Sequence, residues 1–239
     1  MNGYIDMHCH ILPGVDDGAE TSAEMEAMLE IAYKDGIRCI IATPHHHPVH
    51  GNGDPKLLKQ KVSQLRRAAH EIDKNFRIYL GSEIYFRQDL PELLKNHEIL
   101  TMNRRRYILI EFSPFDSYFH IRQGLQQLQS SGYEVILAHV ERYKAITDNP
   151  EYAEELYEMG IRLQINAGSI CGKGGRAARK FVNWLLDRNL VFCVGTDAHN
   201  AKDRPPQMHK AANYVTQHYG EKITRRIFFS NAMQMLKKI

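Results

Sequence analysis

The chain has 239 residues, 43% of them hydrophobic and 25% charged, with a net charge of +3. That length supports one domain with a sizeable core. With charge so near balance, nothing forces a nucleic-acid-binding reading, and no nucleic-acid partner is expected. No apolar run approaches the roughly 18 residues that membrane insertion needs. The segment MNGYIDMHCH has no basic stretch followed by an apolar one, so the expected place is the cytoplasm. Cys9, Cys39, Cys171 and Cys193 show no pairing pattern and are expected to be reduced.

In chain order, the first β-like run is Tyr4–His8. Thr21, followed three residues later by Glu24, has the form of a capping box. It opens a helix with Met25, Met28, Leu29 and Ala32 on its buried stripe, ended by Gly36. A second run, Arg38–Thr43, precedes a helix with the stripe Leu58, Val62, Leu65, Ala69 and Ile72. Runs Phe76–Gly81 and Tyr107–Phe112 follow, then a helix marked by Tyr118, Ile121, Leu125 and Leu128. Glu134–Ala138 and Arg162–Asn166 read as strands, Phe181, Trp184 and Leu185 as a helix, and Val191–Gly195 as the seventh strand. Pro205 is expected to open a last long helix reaching about Tyr219.

Most of these strands are near-continuously apolar or β-branched, as parallel strands covered on both faces are. Seven strand–helix units without a linker predict a single α/β domain over residues 1–239. A distorted TIM-like barrel of (β/α)7 form fits that count, with an open doubly wound sheet as the alternative. In either fold, functional residues belong at the carboxyl ends of the strands.

Six of the seven predicted strands deliver a histidine or carboxylate there. The first ends in Asp6-Met7-His8-Cys9-His10, where alternation aims His8 and His10 at one point with Asp6 behind them, and Asp16 and Asp17 follow in the loop. His45, Glu83, Glu111 and His139 follow the next four strands, and Asp197 and His199 follow the seventh. Nine candidate ligands result: His8, His10, Asp17, His45, Glu83, Glu111, His139, Asp197 and His199. One tetrahedral zinc takes about four, so the set suits two or three ions sharing carboxylates. Imidazole and carboxylate without thiolate point to Mn, Fe or Zn. Ions about 3.5–4 Å apart activate water and clamp phosphoryl oxygens, which favours hydrolysis of phosphate esters over amides. Arg142 lies three residues past His139 and Arg204 five past His199, and guanidinium matches phosphate in a bidentate geometry.

Two other signals carry less. Cys171-Gly172-Lys173-Gly174-Gly175-Arg176 has four residues between Cys and Arg, where a cysteine-phosphatase loop has five. Arg104-Arg105-Arg106 reads as a solvated charge run, with docking of an acidic peptide as the alternative.

The motifs HCHILPGVDDGA (8–19), ATPHHH (42–47), GSEIYF (81–86), LIEF (109–112), AHVER (138–142) and TDAHN (196–200) resemble the PHP (polymerase and histidinol phosphatase) family. Within it they resemble the bacterial CpsB-like, manganese-dependent, capsule-type protein tyrosine phosphatases. Val140 stands where that family is expected to carry Pro, and the loop from His47 to Asn52 and the segment INAGSICGKGG are individual to this chain. The resemblance implies three Mn²⁺ ions. His8, His10, Glu83 and Asp197 would hold the first. Glu83, Glu111 and His139 would hold the second, and Asp17, His45 and His199 the third. Arg142 and Arg204 would bind the phosphate, and metal-activated hydroxide would attack phosphorus in place of a cysteine. The implied partner is a phosphotyrosine-bearing protein, a bacterial tyrosine kinase that regulates capsule or exopolysaccharide synthesis. A phosphatase of a small ester such as histidinol phosphate is the alternative, and a metal-occupied regulatory subunit a third reading.

Overall fold

The aliphatic runs pair as parallel strands because each is flanked on one side by an amphipathic helix that covers it. The computed structural model describes residues 3–237. Strands β1 (Tyr4–Cys9), β2 (Ile37–Ala42), β3 (His45–His47), β4 (Gly51–Asn52), β5 (Arg77–Leu80) and β6 (Glu83–Tyr85) form the first part. Strands β7 (Tyr107–Glu111), β8 (Glu134–Leu137), β9 (Arg162–Asn166) and β10 (Val191–Gly195) form the second. The helices are α1 (Ser22–Lys34), α2 (Pro55–Ile72), α3 (Leu90–Lys95), α4 (Tyr118–Ser130), α5 (Lys144–Asp148) and α6 (Glu151–Glu158). They continue as α7 (Ala167–Ile170), α8 (Gly175–Asp187), α9 (His209–Tyr219), α10 (Glu221–Arg225) and α11 (Asn231–Leu236).

The strands lie in two sheets, ordered β1-β2-β5 and β10-β9-β8-β7-β6-β3-β4, and every pair is parallel except β3 with β4. The α/β class is therefore as expected, but two predicted strands are broken. The run Arg38–Thr43 stops at Ala42 and resumes in the other sheet as β3, because Pro44 has no N–H to continue a ladder. The run Phe76–Gly81 likewise hands over to β6 across Gly81 and Ser82. The expected count of seven becomes ten strand segments among the described residues.

At the carboxyl end of β1 both sheets come together. Thr43 N donates to Cys9 O at 2.9 Å on one side. On the other, Asp197 N donates to His8 O and His10 N to Ala198 O, both at 2.8 Å. Among the described residues a single bridge, Cys9 with Ala198, joins β1 to the chain after β10, and no continuous ladder closes a ring there. Gly195 makes that approach possible: a Cβ there would lie 2.5 Å from His8 Cβ.

The two faces of the strands separate into two clusters. Ile40, Ile110, Leu137 and Val194 pack with helix residues such as Leu29, Leu65, Leu125 and Leu185. Their strand neighbours Ile41, Leu109, Ile136 and Cys193 join Ile5 and Met7 with Ala232 and Met235 of α11. This second cluster fills the face of the strands opposite α1, α2, α4 and α8, with α11 packed against it. Two residues beyond Leu109 on the same face stands Glu111, where the apolar filling gives way to the polar site.

The helix stripes are where periodicity puts them: Met25, Met28, Leu29 and Ala32 are buried in α1, and Leu58, Val62, Leu65 and Ala69 in α2. Ile72, Tyr118 and Trp184 are only partly covered. Thr21 caps α1 by accepting from Glu24 N at 3.2 Å, while Glu24 Oε2 reaches back to Glu20 N at 3.0 Å. The helix expected to open at Pro205 opens at His209 instead. Its start is fixed from outside: Asp35 Oδ2, at the end of α1, accepts from His209 N at 2.7 Å and from Met208 N.

Candidate metal centre

All nine candidate ligands meet at the carboxyl ends of the strands. Glu83, the first residue of β6, is the hub. Its Oε2 lies 3.1 Å from His8 Nε2, 3.2 Å from His10 Nε2 and 3.2 Å from His45 Nδ1, and its Oε1 is 2.8 Å from His139 Nε2. Glu111 Oε1 is 3.0 Å from His45 Nδ1, and Asp17 Oδ1 lies 3.4 Å from His45 Nε2 and 3.6 Å from His199 Nε2. Three groups of donor atoms each draw within 4.8 Å: His10, Asp17, His45 and His199; His8, His10 and Asp197; His45, Glu83 and Glu111. Relative to the sets implied by resemblance, His10 joins the Asp17 group, and His45 stands beside Glu83 and Glu111 where His139 was expected.

Backbone shape helps aim these side chains. His139 and Asp197 both have positive φ, +32° and +53°, a left-handed conformation that costs a non-glycine residue on the order of 1–3 kcal/mol. Each follows the end of a strand, and the turn lifts its side chain off the strand's alternation into the cluster.

The histidine tautomers are set by oxygen acceptors. Gln164 Oε1 lies 3.1 Å from His8 Nδ1, Asp16 Oδ2 2.8 Å from His10 Nδ1, and Asp197 O 3.0 Å from His199 Nδ1. Each Nδ1 donates its proton outward, so in the neutral ring each Nε2 presents a lone pair to the cluster. His8 Nε2 and His10 Nε2 then face each other at 3.0 Å, two lone pairs that a cation between them would reconcile. His45 Nδ1 and Glu111 Oε1 are buried and, despite their proximity, lack a hydrogen-bonding partner. A polar atom left so costs roughly 1–3 kcal/mol. The donor set fits divalent cations held by imidazole and carboxylate.

The electrostatics agree. Burial pushes the Glu83 carboxyl up, but the surrounding imidazoles of His8, His10 and His139 outweigh it and hold it well below the usual range. Asp197 is likewise lowered against its burial, by His8 and Arg142. Burial, then the neighbouring His10 charge, drives His199 down to about 2, so it is neutral. Arg142 and Arg204 both pair with Asp197, Arg204 Nη2 at 2.9 Å from its Oδ1 and Arg142 on its Oδ2. These residues line a cleft of about 330 Å³ with Asp17, His45, Glu83, Glu111 and His199. A larger cavity of about 1150 Å³ at the other end of β7 and β8, beside Arg104–Arg106, has none of the nine candidate ligands on its lining.

Known proteins sharpen this picture. The family model for capsular polysaccharide synthesis, CpsB/CapC, matches residues 4–237. The chain belongs to the CpsB/CapC family. It is 34% identical to the tyrosine-protein phosphatase CpsB of Streptococcus pneumoniae, covering 97% of this chain and 98% of that one. It is 36% identical to the tyrosine-protein phosphatase YwqE of Bacillus subtilis, over 92% and 86%. A crystal structure from work on that YwqE and that CpsB, described as unique metal-dependent tyrosine phosphatases, matches with a TM-score of 0.89 at 35% identity, over 97% of this chain and 94% of that one. The histidinol phosphate phosphatase of Lactococcus lactis, at 16% identity and a TM-score of 0.63 over 90% of this chain and 93% of its own, shares the fold alone.

Within this CpsB/CapC chain, four supporting residues were not assigned a role from sequence. Asp16 orients His10 and also accepts from His45 N at 2.9 Å, with its own carboxyl lowered, against burial, chiefly by His10. Gln164 accepts from His139 N at 2.9 Å as well as from His8, and its Nε2 donates to Asn166 Oδ1 at 2.8 Å. Asn166 Nδ2 donates to Asp197 Oδ2 at 2.9 Å, and Glu141 Oε1 accepts from Asn166 N at 2.9 Å. A signal existed: β9 is the one predicted strand with no histidine or carboxylate at its end, and it alternates buried amides, Gln164 and Asn166, through an apolar run. Asp6 acts from behind, accepting from His8 N, Thr196 N and Thr196 Oγ1 and so tying β1 to the turn that carries Asp197. Burial pushes its carboxyl up to about 6 despite those bonds.

Replacing Gln164 with Leu keeps volume but removes the acceptor for His8 Nδ1 and His139 N. Metal affinity is expected to fall about 10–100-fold, measured by titrating metal-stripped protein with Mn²⁺ by calorimetry.

The cysteines stand apart from this chemistry. All four are free, Cys9, Cys39 and Cys193 fully buried, and burial pushes all four thiols up. Cys171, the only one partly accessible, carries no activated thiolate.

Proposed function

We propose that the chain is a metal-dependent phosphatase that removes phosphate from tyrosine on protein, with a bacterial tyrosine kinase of capsule or exopolysaccharide synthesis as its partner. The class follows from the family, whose named relatives are tyrosine-protein phosphatases at 34% and 36% identity over most of this chain. One observation carries the reading: two guanidinium groups, Arg142 and Arg204, converge on Asp197 at the mouth of a histidine–carboxylate cluster. Cations to reach the phosphoryl oxygens and donors to hold them thus share one open cleft.

On this reading the two sheets work as one distorted (β/α)7 barrel, with β2 and β3, and β5 and β6, each a single broken strand. The whole chain acts as one domain, and its proposed place is the cytoplasm. No helix of the described residues is long and apolar enough to cross a membrane. With each imidazole lending its single lone pair to one ion, His8, His10, Glu83 and Asp197 would hold the first, Glu83, Glu111 and His139 the second, and Asp17, His45 and His199 the third. Mn²⁺ is the proposed metal. Bound there, the ions would lower the pKa of water and neutralise phosphate charge.

The protein's own residues do the rest. Arg142 and Arg204, each partly exposed to the cleft, take equatorial phosphate oxygens in bidentate geometry and carry the charge that grows on them. Asp197 holds both guanidinium groups in place, and Asn166 holds Asp197. Gln164, Asp16 and the Asp197 carbonyl keep His8, His10 and His199 in the tautomer that faces inward.

The test is hydrolysis of p-nitrophenyl phosphate and a phosphotyrosine peptide by metal-stripped protein. Activity is expected to vanish on stripping, return with Mn²⁺ and survive iodoacetamide, with the peptide preferred over histidinol phosphate. Full activity in excess chelator would sink the metal role, and faster turnover of histidinol phosphate would sink the protein substrate.

A further inference from the structure

Both rims of the cleft carry exposed apolar side chains. On one side, Ser113 and Pro114 line the cleft, and the chain continues into Phe115, 83% exposed, and Phe119, 71% exposed. On the other, His47 and His50 line it, and between them Val49 is 81% exposed. Scattered surface apolar groups are ordinary. These three instead border a pit whose lining is charged and whose volume is only about 330 Å³.

Neither rim is slack. Ser113 N donates to Asp116 Oδ2 at 3.0 Å, Asp116 N to Ser113 O at 3.0 Å, and Lys144 N to Pro114 O at 2.9 Å, which pins the loop that carries Phe115. Ser117 caps α4 through His120 N at 3.2 Å. That helix buries Ile121, Leu125 and Leu128, and Phe119 lies off this stripe. Across the cleft, His47 Nδ1 accepts from Val49 N at 3.0 Å and His50 N at 3.3 Å, closing a tight turn that holds Val49 outward. Backbone held in place before contact loses little freedom on binding.

We infer that Val49, Phe115 and Phe119 form a docking surface for apolar side chains next to the phosphotyrosine of a polypeptide substrate, and so set sequence preference. The inference deepens the proposed function and rests on it. Charge complementarity places the phosphate dianion among Arg142, Arg204 and the ion ligands. The phosphate and its ring occupy this cleft, and the flanking residues of a polypeptide substrate extend over its rims. A small metabolite would reach neither. The tyrosine ring itself meets His47 and Tyr85, two rings set edge to face with centroids 4.3 Å apart at the cleft wall.

The experiment compares two phosphotyrosine peptides, one with Leu on both sides of the phosphotyrosine and one with Ser. The native protein is set against F115S/F119S and V49S variants, all with Mn²⁺. The readout is the ratio of kcat/KM for the two peptides within each protein, so any change in overall activity cancels. Native protein is expected to prefer the Leu peptide roughly tenfold or more. The double variant is expected to lose most of that preference and V49S part of it. Equal turnover of both peptides by native protein, or an unchanged ratio in the variants, overturns the docking surface and leaves the phosphatase reading standing. Turnover of p-nitrophenyl phosphate with neither peptide hydrolysed overturns the docking surface and the protein substrate together. Each substituted side chain is solvent-facing, and unchanged thermal unfolding checks that the variants fold.

Discussion

Replacing Glu83 with Gln is expected to lower turnover on the order of 10³-fold or more and to reduce bound metal, with the fold retained. Removing an orienting partner costs about 10–100-fold, and Glu83 does more than orient. Its carboxylate faces four imidazoles, those of His8, His10, His45 and His139, all within 3.2 Å. Gln preserves the shape and the hydrogen-bonding reach of one oxygen but deletes the negative charge on which the proposed cation binding depends. Metal content by plasma mass spectrometry, beside p-nitrophenyl phosphate turnover, checks this. A variant that keeps its full metal complement and more than a tenth of its activity would show that Glu83 is not the hub.

The double variant R142A/R204A has the opposite signature: metal retained at saturating Mn²⁺, activity down about 10³-fold. Removal of one preorganised donor to transition-state charge typically costs 10²–10³, and the pair is proposed to act on one phosphoryl group, so the two losses are not expected to add in full. Lys at either position should restore only part of the loss, because a point charge lacks the planar fork. Asp197 supplies an internal control. It pairs with both arginines, and in their absence it keeps the hydrogen bond from Asn166 Nδ2. Loss of metal along with activity in R142A/R204A would mean that the arginines act through Asp197 on the ions rather than on phosphate. Read together, the two variants separate metal loading from phosphate binding.

Some of this was legible in residues alone. The stripes Met25, Met28, Leu29, Ala32 and Leu58, Val62, Leu65, Ala69 are set by the 3.6-residue period, a local property of chain geometry, and all are buried. The nine candidate ligands were legible for a topological reason. Parallel strands joined by helices all end on one face, so polar residues just past apolar runs converge wherever they sit in the chain. Even the missing seventh contribution carried information, since Gln164 and Asn166 are amides in a strand that should be apolar throughout.

What the chain alone determined, then, is the α/β class, the helix faces and the residues that line the site, because each follows from local periodicity or from the shared direction of parallel strands. Tertiary structure decided the rest. Which donors lie together depends on distances across strands: His45 meets Glu83 and Glu111 because β3 broke away from β2 at Pro44 and pairs with β6. The start of α9 depends on Asp35, 174 residues before His209, whose carboxylate replaces the cap that the local sequence lacks. The aim of His139 and Asp197 depends on left-handed backbone that the packed turns impose. Ligand grouping, long-range capping and strained backbone are all products of contacts distant in sequence, and only the folded chain brings those contacts together.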